Sequence, residues 1–304
     1  MGLIKTNQVL KNYIINGNFD FWQRGTSFSS AAGSPYTADR WWFHGASTNT
    51  TIAQVTTSLD LGMQYACSLK FTSASSSTHY FPTPLDGNTV RALQGKTVTL
   101  SVRYKNILNA SAPWAMAIQY STTENQKDPG TALASVSLTN SASWTTAQVT
   151  FVVPSAALSL QIRMQNESNT VNNAEIHFGK VMLNEGSVAA PFQTAGANIA
   201  AELDTCLRYY ERIGDKAASS IQCFGYGGVS VSVTLQVLFG AKKRTIPTVT
   251  VVGTWSVINC NQPTASASSH DGTIIGATTT AVAGFGFYNA SHTTAYITAD
   301  AELV

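Results

Sequence analysis

Apolar and polar residues alternate with period two through much of the chain. Val98, Leu100, Val102 and Tyr104 share one parity against Thr97, Thr99, Ser101 and Arg103. Trp114, Met116, Ile118 and Tyr120 repeat the pattern, as do Ala147, Val149, Phe151 and Val153, and then Leu158, Leu160, Ile162 and Met164. Successive side chains of a strand point to opposite faces, so this alternation predicts half-buried strands. Turn-rich stretches such as Asn125-Gln126-Lys127-Asp128-Pro129-Gly130 separate them, which predicts a sandwich from about residue 12 to 192. In the last of these strands the apolar parity of Ile176 and Phe178 gives way to that of Val181 and Leu183. A bulge at Gly179 would account for the switch.

The pattern breaks once. Ile199, Leu203, Cys206, Tyr210 and Ile213 are spaced four, three, four and three, the seam of an amphipathic helix. Asn198 serves as N-cap, Gly214 as C-cap, and Asp204 and Arg208 form an i,i+4 pair. Strands resume with Val229, Val231, Val233, Leu235 and Val237, then Val249 and Val251, with more expected near 273–278, 283–288 and 294–303. Thr264–Ser269 reads as a loop. There is no internal repeat, which excludes a β-helix of stacked rungs. The organisation expected is a segment 1–11, an all-β jelly-roll sandwich 12–192, a linker and helix 193–214, and a C-terminal β-sandwich-like domain 215–304.

Composition narrows the function. Charged residues are 11% of the 304, under half the usual share, and hydroxyl and amide side chains take their place, as on extracellular β-proteins. Lys242-Lys243-Arg244 is the longest basic run, so there is no nucleic-acid stripe. No apolar run approaches a membrane span of about 20 residues. The first residues hold no secretory h-region, so export by a signal peptide is not expected. Cys67, Cys206, Cys223 and Cys260 form no CxxC pair; zinc spacing is missing, and free buried thiols are expected in a chain this long.

Three segments carry a resemblance. Asn12-Tyr13-Ile14-Ile15-Asn16-Gly17-Asn18-Phe19-Asp20-Phe21-Trp22-Gln23-Arg24-Gly25-Thr26-Ser27-Phe28, followed by Tyr36-Thr37-Ala38-Asp39-Arg40-Trp41-Trp42, resembles the opening strands of phage tail and fibre proteins. Val181-Met182-Leu183-Asn184-Glu185-Gly186 with Ala190-Pro191-Phe192 resembles the closing strand of family 4/9-type carbohydrate-binding modules. Glu202 to Glu211 resembles the helix that follows the jelly roll in the same phage proteins. The matches frame residues 12–213. The resemblance implies a jelly roll, a virion location and usually a homotrimer. It also implies a structural calcium ion near the first and last strands, for which Asn16, Asn18 and Asp20 would supply oxygens. The closing strand departs from that pattern, offering His177 and Lys180 with Glu175 nearby.

Trp41 and Trp42 must take opposite faces of a strand. One should lie in the core and the other outward, where an indole can stack on a sugar ring; the alternative is that the outward one lies under a loop or at a subunit interface. Asp39 and Arg40 either contact sugar or lock the turn before that strand. The five histidines show no ligand spacing, and no GxSxG, HExxH or P-loop string occurs. Glu175 with Asp86 or Asp39 is the one candidate glycosidase pair, without positional support.

These readings combine into one expectation: a non-enzymatic phage virion protein, a receptor-binding tail fibre or tip component that recognises host surface glycan. It would trimerise through 198–304, with Ile199, Leu203, Cys206, Tyr210 and Ile213 as the helix seam, and attach to other virion proteins through residues 1–11. The alternative is a head fibre or capsid decoration protein of the same fold. Nucleic-acid binding, membrane insertion and a cofactor other than calcium are not expected.

Overall fold

The computed structural model describes residues 11–29, 34–44, 50–73, 79–108, 114–166, 173–196, 198–215 and 217–303. The proposed attachment segment, apart from its last residue, lies outside the described residues. The chain forms two compact units, Met1–Glu202 with Leu303–Val304, and Leu203–Glu302. The division falls inside the expected linker and helix 193–214.

The first unit contains β1 (Ser27–Ser29), β2 (Thr50–Val55), β3 (Ala66–Phe71), β4 (Tyr80–Leu85), a short helix α1 (Gly87–Leu93), β5 (Thr97–Leu108), β6 (Trp114–Ser121), β7 (Thr131–Leu138), β8 (Thr145–Val152), β9 (Ser159–Asn166) and β10 (Glu175–Glu185). They build a six-stranded sheet in the order β1-β2-β3-β10-β5-β8 and a four-stranded sheet in the order β4-β9-β6-β7. The pairings within both are antiparallel. The inward residues of both sheets, among them Val98, Leu100 and Val102 from one and Met116, Ile118 and Ile162 from the other, form a single core. That is the predicted sandwich, and the alternation read from β5, β6, β8 and β9 is the alternation of core and outer faces. The register of β10 against β5 shifts between Gly179 and Met182, so the bulge stands where the parity switch placed it.

The segment before β1 is pinned to that bulge. Asn12 is buried and makes four hydrogen bonds. Its Nδ2 donates to the carbonyls of Val181 (3.1 Å) and Gln193 (2.9 Å), and its Oδ1 accepts from the amides of Ile14 (2.9 Å) and Leu183 (3.0 Å). Glu202, also buried, accepts from the amides of Asn16 (2.6 Å) and Gly196 (2.5 Å). Burial pushes its carboxyl above the ordinary value, against the pull of those amides.

The second unit begins inside helix α2 (Ile199–Leu207) and continues with β11 (Tyr210–Ile213), β12 (Gln222–Gly227), β13 (Ser232–Leu238), β14 (Thr248–Val252), β15 (Ser256–Ile258), β16 (Thr264–Ser268), β17 (Gly272–Thr278), β18 (Ala283–Tyr288) and β19 (Tyr296–Asp300). The sandwich-like domain is built of three three-stranded antiparallel sheets, β11-β19-β14, β12-β18-β15 and β13-β17-β16. Their shared core is small and centres on Val233, Val237, Trp255, Ile275, Phe287 and Ile297.

Several expectations are corrected here. Asn198 does cap α2, its Oδ1 accepting from the amide of Ala201 at 3.0 Å, but the helix ends at Leu207 rather than near Gly214. Tyr210 and Ile213 pair with Asp300 and Ile297 on β19, because an open sheet edge satisfies four backbone groups that a lone helical turn would leave to water. The seam is thus broken: Tyr210 and Cys206 are buried, Leu203 is half-buried, and Ile199 at 54% exposure is its one outward member. No ion pair joins Asp204 and Arg208 among the described residues. Thr264–Ser268 is a strand rather than a loop. All four cysteines are free thiols.

Candidate functional site

The predicted ligand residues cluster at the entry to the four-stranded sheet. Residues 42–44 run antiparallel to β4, with the amide of Trp42 donating to Pro82 O (3.1 Å) and that of His44 to Tyr80 O (2.9 Å). Trp41 and Trp42 therefore take opposite faces, as expected of adjacent strand residues. Trp41 enters the core, where its ring meets Phe19 (4.9 Å between centroids) and Phe81 (5.5 Å), and its Nε1 donates to Asn16 O at 3.2 Å. Trp42 points to the outer face, yet it too is buried. Lys127, from the loop between β6 and β7, lies over its ring at 4.4 Å. The expectation of an exposed indole is corrected: the loop occupies the face a sugar would need.

Asp39 and Arg40 are buried as well. The amide of Gln23 and its Nε2 donate to the two carboxylate oxygens of Asp39 at 3.1 and 2.6 Å, and Arg40 donates from Nη2 to Pro84 O at 2.6 Å. Arg40 sits at φ 70°, in the left-handed region that a side chain rarely adopts, so these bonds hold a strained turn. The pair is structural rather than a sugar contact.

The calcium trio does not fit as a set. Asn16 Oδ1 accepts from the amide of Phe21, and its Nδ2 donates to the carbonyls of Phe21 and Asp39. Asn18 Oδ1, buried and without a hydrogen-bond partner, and Asp20, whose carboxyl burial pushes upward, remain. Calcium takes six to eight oxygens. The glycosidase candidates serve other ends. Asp86 caps α1, accepting from the amide of Thr89 at 2.8 Å, and Glu175 accepts from Ser68 Oγ at 2.9 Å and lies 2.9 Å from His177 Nε2.

What the fold does assemble on that outer face is a cluster the sequence reading missed. His44 and Tyr80 are cross-strand partners, and their rings stack at 4.1 Å with 6° between planes. Arg163 of β9 lies over the Tyr80 ring at 4.4 Å, giving a row Arg163–Tyr80–His44. Asp128 closes it, accepting from the Tyr80 hydroxyl at 2.7 Å and standing 3.8 Å from His44 Nδ1. Gln161 fixes the loop that carries Asp128, donating from Nε2 to Lys127 O (2.7 Å) and Asp128 Oδ1 (3.2 Å).

Burial lowers the His44 pKa; Asp128 opposes that shift while Arg163 and Lys127 assist it. Burial, then the bond to Asp128, raises the Tyr80 phenol well above its ordinary value. This lowering favours the neutral imidazole, which can both donate and accept. His44 (41% exposed) and Asp128 (36%) reach solvent, so an acceptor, a donor–acceptor and a guanidinium stand on one open face. Such a set suits hydroxyl-rich ligands, whose OH groups donate and accept in turn. No local sequence signal joins these residues: β2 and β3 lie between His44 and Tyr80, and Asp128 and Arg163 arrive from a loop and a strand farther along.

These features define a two-sheet antiparallel sandwich with a polar and aromatic outer face. No protein-family model matches the chain, and no curated protein matches it in sequence. Among solved structures, one described as a sugar-binding protein from Bacteroides thetaiotaomicron is 15% identical with a TM-score of 0.40, over 58% of this chain and 100% of that one. A family 4 carbohydrate-binding module is 20% identical with a TM-score of 0.39, over 56% of this chain and 98% of that one. The enzymatically active domain of tailspike protein 4 of bacteriophage CBA120 is 15% identical with a TM-score of 0.39, over 58% of this chain and 21% of that one. Likenesses at this level describe shape and assign no ligand.

Proposed function

We propose that the chain is a glycan-recognising virion protein, a receptor-binding component of a phage tail fibre or tip that binds host surface sugar without cleaving it. The observation that carries the reading is the Arg163–Tyr80–His44 row with Asp128 on the outer face of the four-stranded sheet. The sequence resemblance in residues 12–213 supports the virion setting. Binding without cleavage is supported by the roles of the acidic candidates: Glu175, Asp86 and Asp39 each make bonds that hold the fold.

Assembly into a homotrimer belongs to the same proposal, with its surface moved from the helix seam to the second unit. Phe224 and Tyr226 of β12 are 55% and 78% exposed and stand opposite Gly286 and Gly284 of β18, with Ile258 of β15 also opposite Gly286. The sheet presents an aromatic and aliphatic face floored by glycines, and residues 217–241 and 245–269 carry no Asp, Glu, Lys or Arg. Charge depletion with exposed aromatic residues is the composition of an interface core. Two further copies of this chain are the occupants that fit, because a neutral face offers no complement to a charged partner. Weak sugar sites then act in threes.

A glycan array probed with the full chain and with His44→Ala/Asp128→Ala tests the reading. Binding to one glycan class, weakened at least about tenfold in the variant with unchanged melting, is expected. Equal binding by both proteins would remove the sheet face as the site, and shortened polysaccharide after incubation would refute the absence of cleavage.

A further inference from the structure

Charge in the second unit is concentrated. From Ala217 to Ala299 the charged residues are Lys242, Lys243, Arg244 and Asp271, so three cations in one triplet decide where this neutral surface can attract an anion. The fold sets the triplet against the end of α2 and the turn at His270. Together they line a depression of about 670 Å³ that also includes Asp204 and Arg208.

Its cations are of two kinds. Lys243 and Arg244 hold the framework. Lys243 is buried, and its Nζ donates to Glu211 Oε2 (2.5 Å) and Leu207 O (2.6 Å). Burial lowers its pKa, and Glu211 pulls the other way. Arg244 donates to Ala301 O (3.1 Å) and Glu302 O (3.2 Å). The backbone is tied down as firmly. The amide of Gly240 donates to both Glu211 oxygens (2.9 and 3.0 Å), that of Lys243 to His270 O (2.8 Å), and that of Arg244 to Arg208 O (2.9 Å). Lys242 and Arg208 differ. Both are exposed, and neither side chain makes a hydrogen bond or ion pair among the described residues, although Asp204 lines the same depression.

Two unpaired cations thus project from a backbone that cross-bonds fix in place. A binding site needs such preorganisation, because less ordering entropy is then lost on association. The volume lies in the range of small-molecule sites and exceeds what one inorganic anion would fill. A nucleic-acid surface would need a basic stripe, whereas here the flanking sheets are neutral.

We propose that this depression binds an anionic sugar, its acid group held by Arg208 and Lys242 and its ring hydroxyls by Thr205 and His270. Arg208 offers the planar fork that matches a carboxylate or phosphate bidentately, and Lys242 adds a second positive charge. The site is carried by the second unit alone and does not depend on the sheet face of the first.

Calorimetric titration of the full chain tests it, with trigalacturonate and glucose 1-phosphate as acid probes. The controls are the methyl ester of trigalacturonate, inorganic phosphate and a thymidine oligonucleotide. Binding of at least one acid sugar is expected, weakening about tenfold or more from low to high salt as screening sets in. Arg208→Ala/Lys242→Ala should lose it by at least about tenfold with unchanged melting, while His44→Ala/Asp128→Ala retains it, which separates this site from the sheet face. The probe that binds identifies the acid group as carboxylate or phosphate. The proposal is overturned if neither acid sugar binds, if the methyl ester binds as well as the acid, if the Arg208/Lys242 variant binds unchanged, or if inorganic phosphate or the oligonucleotide matches the sugar.

Discussion

The carbonyl of Val181 occupies the space into which any side chain on Gly17 would project, while the amide of Val181 donates to Gly17 O at 2.8 Å. The N-terminal segment and the bulge of β10 are thereby in direct backbone contact, and only glycine permits it. Gly17→Ala should destabilise the protein by about 1–3 kcal/mol, the usual penalty of overpacking. Chemical denaturation monitored by tryptophan fluorescence measures this, and an unchanged midpoint would contradict the contact.

Asn12 sits beside that contact and satisfies four backbone groups with one carboxamide. Removing it strands two buried amides, one buried carbonyl and one part-buried carbonyl. Asn12→Ala should therefore cost about 3 kcal/mol, well above the loss of a single hydrogen bond. The same denaturation series reads it, and a loss under about 1 kcal/mol would show that water replaces the side chain.

Glu175 gives the fold an acid dependence. The bond to His177, the bond to Ser68 and the charge of Lys70 hold its carboxyl down at about 2 against an ordinary 4.5, with burial opposing them. A carboxyl whose pKa is depressed in the folded state adds stability above its unfolded pKa. That contribution is lost as pH falls from about 4.5 toward about 2. Glu175→Gln should flatten the stability profile across this window and cost about 2 kcal/mol at neutral pH after allowance for screening. Parallel profiles for the two proteins would refute the assignment.

The trimer surface has its own test. Phe224→Ser/Tyr226→Ser removes the two most prominent rings of the β12-β18-β15 face without touching the core residue Phe287. Light scattering should give about three chains for the natural protein and one for the variant, since truncating large interface anchors costs about 2 kcal/mol or more each. A monomeric natural protein, or a variant that remains trimeric, would place assembly elsewhere.

Period-two alternation of apolar with polar or small residues exposed four strands. β5, β6, β8 and β9 were legible because Thr, Ser, Ala, Gln and Arg fill their second parity, although most of β5, β6 and β9 is buried, and the parity switch in β10 marked its bulge. β4 was not, because the two prolines of Tyr80-Phe81-Pro82-Thr83-Pro84-Leu85 speak against a strand by composition, and residues 42–44, which pair along its edge, lie far away in the chain. The candidate site was hidden for a related reason. Trp41 and Trp42 were rightly assigned to opposite faces, but the chain alone does not say that Lys127 closes over the outer one.

By itself, then, the amino-acid order determined the all-β class, the alternating strands, the start of α2 at its Asn198 cap and the near-neutral surface of the C-terminal residues. Each depends on neighbours within a few positions along the chain. Tertiary structure decided what depends on distant partners. The spacing from Ile199 to Ile213 suits a helix, yet β19 offers Tyr210–Ile213 a strand to pair with, and ladder bonds outweigh a marginal last turn. Likewise, His44, Tyr80, Asp128 and Arg163 meet because antiparallel pairing brings β4 beside β9 and Gln161 ties the β6–β7 loop back onto β9. No local period can encode an encounter between residues so far apart in the chain.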